Sequence, residues 1–246
     1  MKKKRLLFGA LIVLGAVLLC VAVVLFKPVS VGGLTSQPDP VTDYAEAVER
    51  IEALRAQEAS LPLNPLCQLK FMTQGQKTDQ AIVFVHGYTN CPQQFDELGQ
   101  QFHDLGYNVL MAPAPHHGML DRMTKDQARL TAEELAAYAD DVVDIAQGLG
   151  EHVTLAGISM GGITTAWAAQ HRSDLDLAVL ISPAFGFQMF PAPVTAPVVK
   201  AFVVLPNFYM WADSELKEEN GPDHTYPRRS TRALAQTLRL GMAVQA

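Results

Sequence analysis

The chain of 246 residues is 49% apolar, enough to bury one substantial core with appendages. Its net charge is −6, although Lys2, Lys3, Lys4 and Arg5 crowd the start, so the remainder is more acidic still. A basic nucleic-acid footprint is excluded, and no nucleic acid is expected as a partner.

Behind the basic tail, residues 1–5, Leu6 to Phe26 is an uninterrupted uncharged run. It is long enough to cross the hydrocarbon core of a bilayer as a helix of about 20 residues. The basic tail stays on the cytoplasmic side and the rest of the chain lies on the far side. The leading expectation is therefore a single-pass signal-anchor in the cell membrane, holding the membrane through residues 6–26. A cleaved signal peptide and a lipid attached at Cys20 are the alternatives. No Ala-x-Ala site follows the run, however, and Leu19 is bulky where lipidation needs a small residue.

Residues 27–42, rich in Gly, Pro, Ser and Thr, read as a linker. A helical lead-in, 43–65, follows, with Ala47, Val48, Ile51 and Leu54 at helical spacing over Asp43 to Ala59. From Leu66 the pattern changes to short apolar runs between helical stretches. Strands are expected at Cys67 to Thr73, Ala81 to Val85, Asn108 to Ala112, His152 to Gly157 and Leu177 to Ser182. Helices are expected at Gln93 to Leu105, Thr131 to Leu149, Met160 to His171 and Ser230 to Leu240. Thr131 with Glu134 forms a capping-box pattern, and Gly150 is the stop. This alternation is that of an α/β domain, a mostly parallel sheet with helices on both faces. On the far side of a membrane, Cys67 and Cys91 can pair in a disulfide contributing roughly 3 kcal/mol. Two buried thiols are the other reading, and the sequence leaves both open.

Function in an open parallel sheet collects at the carboxyl ends of the strands. Here "AIVFV" runs into "HGYTNCPQQF", "NVLMA" into "PAPHHGMLDR" and "VTLA" into "GISMGG". The third is a Gly-x-Ser-x-Gly frame between a strand and a helix, which places Ser159 on a sharp turn as a nucleophile would stand. A glycine-rich turn with an idle serine is the plain alternative. Acyl transfer also needs two N–H groups aimed at the developing oxyanion, and the backbones of Tyr88 and Met160 are positioned to supply them. His86 precedes the serine at the root of its loop and reads as a structural hydrogen-bonding residue. His116 and His117 are adjacent, which is no metal-ligand spacing, and no cofactor is expected.

"HGYT", "HHG" and "GISMGG" resemble the motifs of the α/β-hydrolase superfamily, in particular small bacterial carboxylesterases and monoacylglycerol-lipase-like or serine-aminopeptidase-like members. The resemblance spans about Leu66 to Phe185. It implies a three-layer α/β-hydrolase fold over residues 66–246, with Ser159 as nucleophile, Tyr88 and Met160 as oxyanion donors, and a small-molecule ester as substrate. His116 stands where the family's middle loop has a glycine.

In that superfamily the acid and the histidine follow further strands. Gly186 to Trp211 is apolar, aromatic and broken by prolines, and the segment 186–229 reads as a lid whose Phe187, Phe190, Phe202, Phe208 and Trp211 suit an apolar acyl group or a core. A core strand at Val198 to Leu205 is the other reading. Asp213 and His224 are the available acid and base, but a parallel crossover alone takes about 10–12 residues, too many to fit between them. The expectation is a domain whose last strands are missing, as a fragment or a degenerate enzyme. The function expected is a serine esterase or lipase working through an acyl-enzyme. Alternatives are an inactive binding protein, or a peptidase or acyltransferase. The oligomeric state stays open.

Overall fold

The computed structural model describes residues 27–186, 192–212 and 221–244, together with Gly15, Ala16, Leu19 and Val23. The expected membrane span, 6–26, lies almost wholly outside the described residues. Among those residues no helix is long and apolar enough to cross a membrane.

Helix α1 (Tyr44–Glu58) starts where the Asp43 carboxylate accepts the Glu46 N–H. Strands β1 (Lys70–Met72), β2 (Thr78–Val85) and β3 (Asn108–Met111) follow, with helix α2 (Asp96–Asp104) between the last two. Helix α3 (Ala132–Leu149) leads through Gly150 directly into β4 (Gly150–Ile158), and α4 (Met160–His171) leads to β5 (Leu177–Ile181). The capping box of Thr131 and Glu134 is formed in both directions, which accounts for the sharp start of α3. Helix α5 (Ala192–Val204), a hairpin of β6 (Tyr209–Trp211) and β7 (Arg228–Ser230), and helix α6 (Thr231–Val244) complete the described chain.

The five-stranded sheet has the order β1-β3-β2-β4-β5, with β1 antiparallel and every other neighbour parallel. Strand β2 shows why both faces are covered. Alternate residues of a strand point to opposite sides, so Ala81, Val83 and Val85 enter the large core with α3 and α4. Ile82 and Phe84 pack instead with Phe95, Val109 and Met111 beside Phe102 of α2. The layers are helix, sheet and helix, as expected. At the far edge of the described sheet, β5 leaves Leu177, Val179, Leu180 and Ile181 exposed. A strand added there would cover them.

Two segments depart from the sequence reading. Part of the expected linker is docked on α3: Ser36 Oγ donates to Asp140 at 2.6 Å, and the amides of Gln37 and Asp39 donate to Asp140 and Asp144 at 2.7 and 3.0 Å. The physical reason is that α3 buries both carboxylates, and buried charge requires donors. Arg172 supplies the rest, pairing with Asp140, Asp144 and Asp174 at 3.3, 2.6 and 2.7 Å. The second departure is Val198 to Leu205, which is not the alternative core strand but mostly the end of α5. That helix holds because Val199 is buried against Ala235 and Leu238 of α6. Phe202 packs against that cluster, whereas Phe208 and Trp211 are exposed; Phe187 and Phe190 lie outside the described residues.

Candidate active site

Strand β4 ends at Ile158, and Ser159 makes the turn into α4 with φ 55° and ψ −108°. Positive φ is costly for a residue with a side chain and is kept only where the surroundings enforce it. Here they do so from three directions. The Ser159 N–H donates to Ile181 O at 3.0 Å, while its carbonyl accepts from Ile163 and Ala184 at 3.1 and 3.3 Å. The flanking glycines are obligatory, since a Cβ on Gly157 would lie 2.2 Å from Gly161 O and one on Gly161 would lie 2.0 Å from Val85 O.

The loop after β2 is fixed by two buried histidines. His86 faces the Gly87 carbonyl through Nδ1 at 2.9 Å and accepts the Ala114 N–H at Nε2, also at 2.9 Å. This pairing requires the neutral ring with its proton on Nδ1, and burial lowers its pKa to about 3. Such a ring is a strut between the β2 and β3 loops, in line with its structural reading. His117 lies 2.7 Å from Tyr88 O through Nε2 and 2.8 Å from Pro115 O through Nδ1. The two carbonyls favour its proton, but burial outweighs them and lowers the pKa to about 4. The Tyr88 ring is buried, its hydroxyl donating to Gln127 Oε1 at 2.6 Å and accepting the Ser230 N–H at 3.1 Å.

His116 adopts φ 63°, the conformation of the glycine it replaces. Its imidazole bridges Asp126 at 2.9 Å and Glu134 at 3.2 Å, which offsets the strain of a left-handed residue, roughly 1–2 kcal/mol. Cys67 and Cys91 are joined in a disulfide. It ties the end of the "HGYTNC" loop to the stretch before β1, and Cys67 Sγ lies 3.7 Å from His224 O.

Ser159 opens on a cavity of about 490 Å³ shared with Gly87, Tyr88, Thr89, Asn90 and Gln94, and walled by Ile158, Ala184, Met210, Leu234 and Leu238. None of the chain's seven histidines lines it. His224 lines a neighbouring crevice with Asn64, Cys67 and Arg122, which meets the Ser159 cavity at Asn90, and is not among the residues lining that cavity. Burial, with Arg122 and Lys70 adding to it, lowers its pKa. Asp213 lies outside the described residues. The geometry thus places the strained turn at Ser159 and the loop of Gly87 to Asn90 on one cavity, which no imidazole lines.

A family model described as serine aminopeptidase, S33, matches residues 76–236, from β2 into α6. The chain belongs to this family of α/β hydrolases. A thermostable monoacylglycerol lipase of Bacillus sp. (strain H-257) is 25% identical over 159 residues, 65% of this chain and 60% of that protein. The chain therefore spans about 60% of the length of that curated relative. Among solved structures, a metagenome-derived lipolytic enzyme of the LipS and LipT pair superimposes with a TM-score of 0.55 at 21% identity, covering 74% of this chain and 71% of its own. A Paleococcus ferrophilus monoacylglycerol lipase gives 0.52 at 18% identity, covering 72% and 70%. These two likenesses show the fold.

Sequence reasoning missed Gln94 and Arg229 as cavity residues. Gln94 sits in the short turn ahead of α2, and its amide reaches back to Gly87. Arg229 comes to the cavity only because β7 pairs with β6, a pairing too short to leave a periodic signal.

Proposed function

We propose that the chain carries the nucleophile and oxyanion half of a serine hydrolase acting on a carboxylic ester with an apolar acyl group. The observation carrying this reading is Ser159 on its enforced turn, facing a cavity with an apolar wall of Ile158, Ala184, Met210, Leu234 and Leu238. In the forward step Ser159 Oγ bonds to the carbonyl carbon and its proton passes to a base. The carbonyl electrons move to the oxygen held by the Tyr88 and Met160 N–H groups. Collapse expels the alcohol, which takes that proton, and water then releases the acid from the acyl-enzyme. Met160 is the first residue of α4, so its N–H has no acceptor within the helix.

In this reading the proton goes to a base that is not among the described residues lining the cavity. The absence of histidine from the cavity favours a second reading, a binding protein that keeps the fold and an idle serine. A fluorophosphonate with a neutral alkyl tail separates them. Labelling of Ser159 in the folded chain, abolished by Ser159→Ala, is expected of the hydrolase; a folded chain that takes no label is the binding protein.

The reading includes a single-pass anchor at residues 6–26, with the N-terminus cytoplasmic and the hydrolase domain outside. The uncharged run behind a basic tail supports it, and so does the Cys67–Cys91 disulfide, a feature of oxidising compartments. Protease added to intact cells is expected to remove the domain, and protection from it would overturn the orientation.

A further inference from the structure

The polar rim of the Ser159 cavity holds two amides and a guanidinium beside the hydroxyls of Thr89, Ser159 and Thr237. Gln94 Oε1 accepts the Gly87 N–H at 2.8 Å, and Asn90 Oδ1 accepts the Cys91 N–H at 3.0 Å. A backbone N–H faces only an acceptor, so both amides are fixed in orientation. One lone pair of each carbonyl oxygen is thereby used, and each amide keeps its two NH₂ donors, for which no protein acceptor is found among the described residues. Arg229 joins them. It pairs with Met210 across the β6–β7 hairpin, and both residues line the cavity. Its neighbour Arg228 lies instead over the Tyr209 ring, 4.3 Å from the centroid, as the alternation of a strand requires. Arg229 carries five donors, no acceptor and a permanent charge. No Asp or Glu is among the described residues lining this cavity, and no carboxylate among the described residues pairs with Arg229. The same cavity is lined by Ile158, Ala184, Leu234 and Leu238.

We infer that Arg229, with the amide groups of Asn90 and Gln94, is an anion-recognising subsite, and that the preferred ligand of this cavity is an amphiphile with an apolar chain and an oxyanion head, a phosphate or carboxylate. The inference rests on the cavity being the substrate site proposed above. It specifies an ester whose alcohol portion bears the negative charge, with the acyl chain along the apolar wall. Among the described residues, a neutral hydroxylated head would meet a guanidinium that no carboxylate neutralises. An anionic one is held by charge-assisted, potentially bidentate hydrogen bonds.

The test is calorimetric titration of octyl phosphate, octanoate and 1-octanol into Ser159→Ala, where no chemistry occurs, and into the same chain with Arg229→Gln. In Ser159→Ala at least one anion is expected to bind about tenfold tighter than octanol, the yield of one added charge-assisted contact. Whether phosphate or carboxylate leads identifies the head group. Arg229→Gln is expected to bring the ratio close to unity, and Arg229→Lys to restore part of it. Raising the salt from about 50 to 500 mM is expected to weaken the anions selectively, because it screens a partly exposed charge. This salt dependence gives an independent readout should the Gln variant fold poorly. Equal binding of octanol and both anions, or a preference that survives in Arg229→Gln, overturns the subsite. Failure of the hydrolase reading shows elsewhere, in a wild-type chain that takes no fluorophosphonate, and leaves these titrations interpretable.

Discussion

Gly161 passes Val85 so closely that a Cβ on the glycine would stand 2.0 Å from the Val85 carbonyl oxygen. The contact joins the first turn of α4 to the end of β2, and hence the Ser159 turn to the loop of Gly87 to Asn90. Gly161→Ala must part the two. The variant is expected to lose about 3 kcal/mol of stability, the upper range for overpacking against backbone, in urea denaturation. In whatever fraction folds, fluorophosphonate labelling of Ser159 is expected to slow. A variant as stable and as reactive as the parent contradicts this account of the turn.

Removing the disulfide has a local and a global consequence. Cys67→Ser with Cys91→Ser is expected to cost about 3 kcal/mol by loop entropy. Hydrogen exchange is expected to quicken around Thr225 and Tyr226, because the Tyr226 N–H donates to Thr89 O beside Cys91 at 2.8 Å. Unchanged exchange there would show that the bridge does not hold the 221–226 segment.

Acid acts through His86 and His117. Their pKa values fall from 6.5 to about 3 and about 4 through burial, so between those limits the unfolded chain binds protons that the folded chain refuses. Their contribution is complete above pH 6.5 and is lost as the pH falls toward 4 and then 3. The slope is at most about 1.4 kcal/mol per pH unit for each histidine. Stability measured from pH 7.5 down to 4.5 is expected to decline steadily, and His117→Asn to flatten the decline. A flat profile in the parent would refute the assignment.

Arg172 is buried among Asp140, Asp144 and Asp174. Replacing it with Ala strands two buried carboxylates on α3, at an expected cost of 3–5 kcal/mol, roughly the penalty for breaking a buried pair. Burial already raises the Asp144 pKa, so the deficit is expected to shrink as the pH falls and that carboxylate takes a proton. Denaturation of parent and variant at pH 7.5 and 5 reads both effects.

What the sequence by itself determined are features whose cause is local. The capping box at Thr131, the stop at Gly150 and the span Met160–His171 follow from residues within a few positions of one another. The Gly157-x-Ser159-x-Gly161 frame sits between the strand and helix that its neighbours require. Other features depend on partners from ten to more than a hundred residues away. Ser36 and Asp39 are docked rather than loose because α3 buries Asp140 and Asp144. His116 takes a glycine's conformation because Asp126 and Glu134 converge on its ring. His224 lines a crevice neighbouring the Ser159 cavity rather than the cavity itself, and Arg229 enters that cavity through a three-residue hairpin. Periodicity and capping report the backbone's immediate hydrogen bonds. Which side chains converge on a site is settled by long-range packing, and only the tertiary structure decided it.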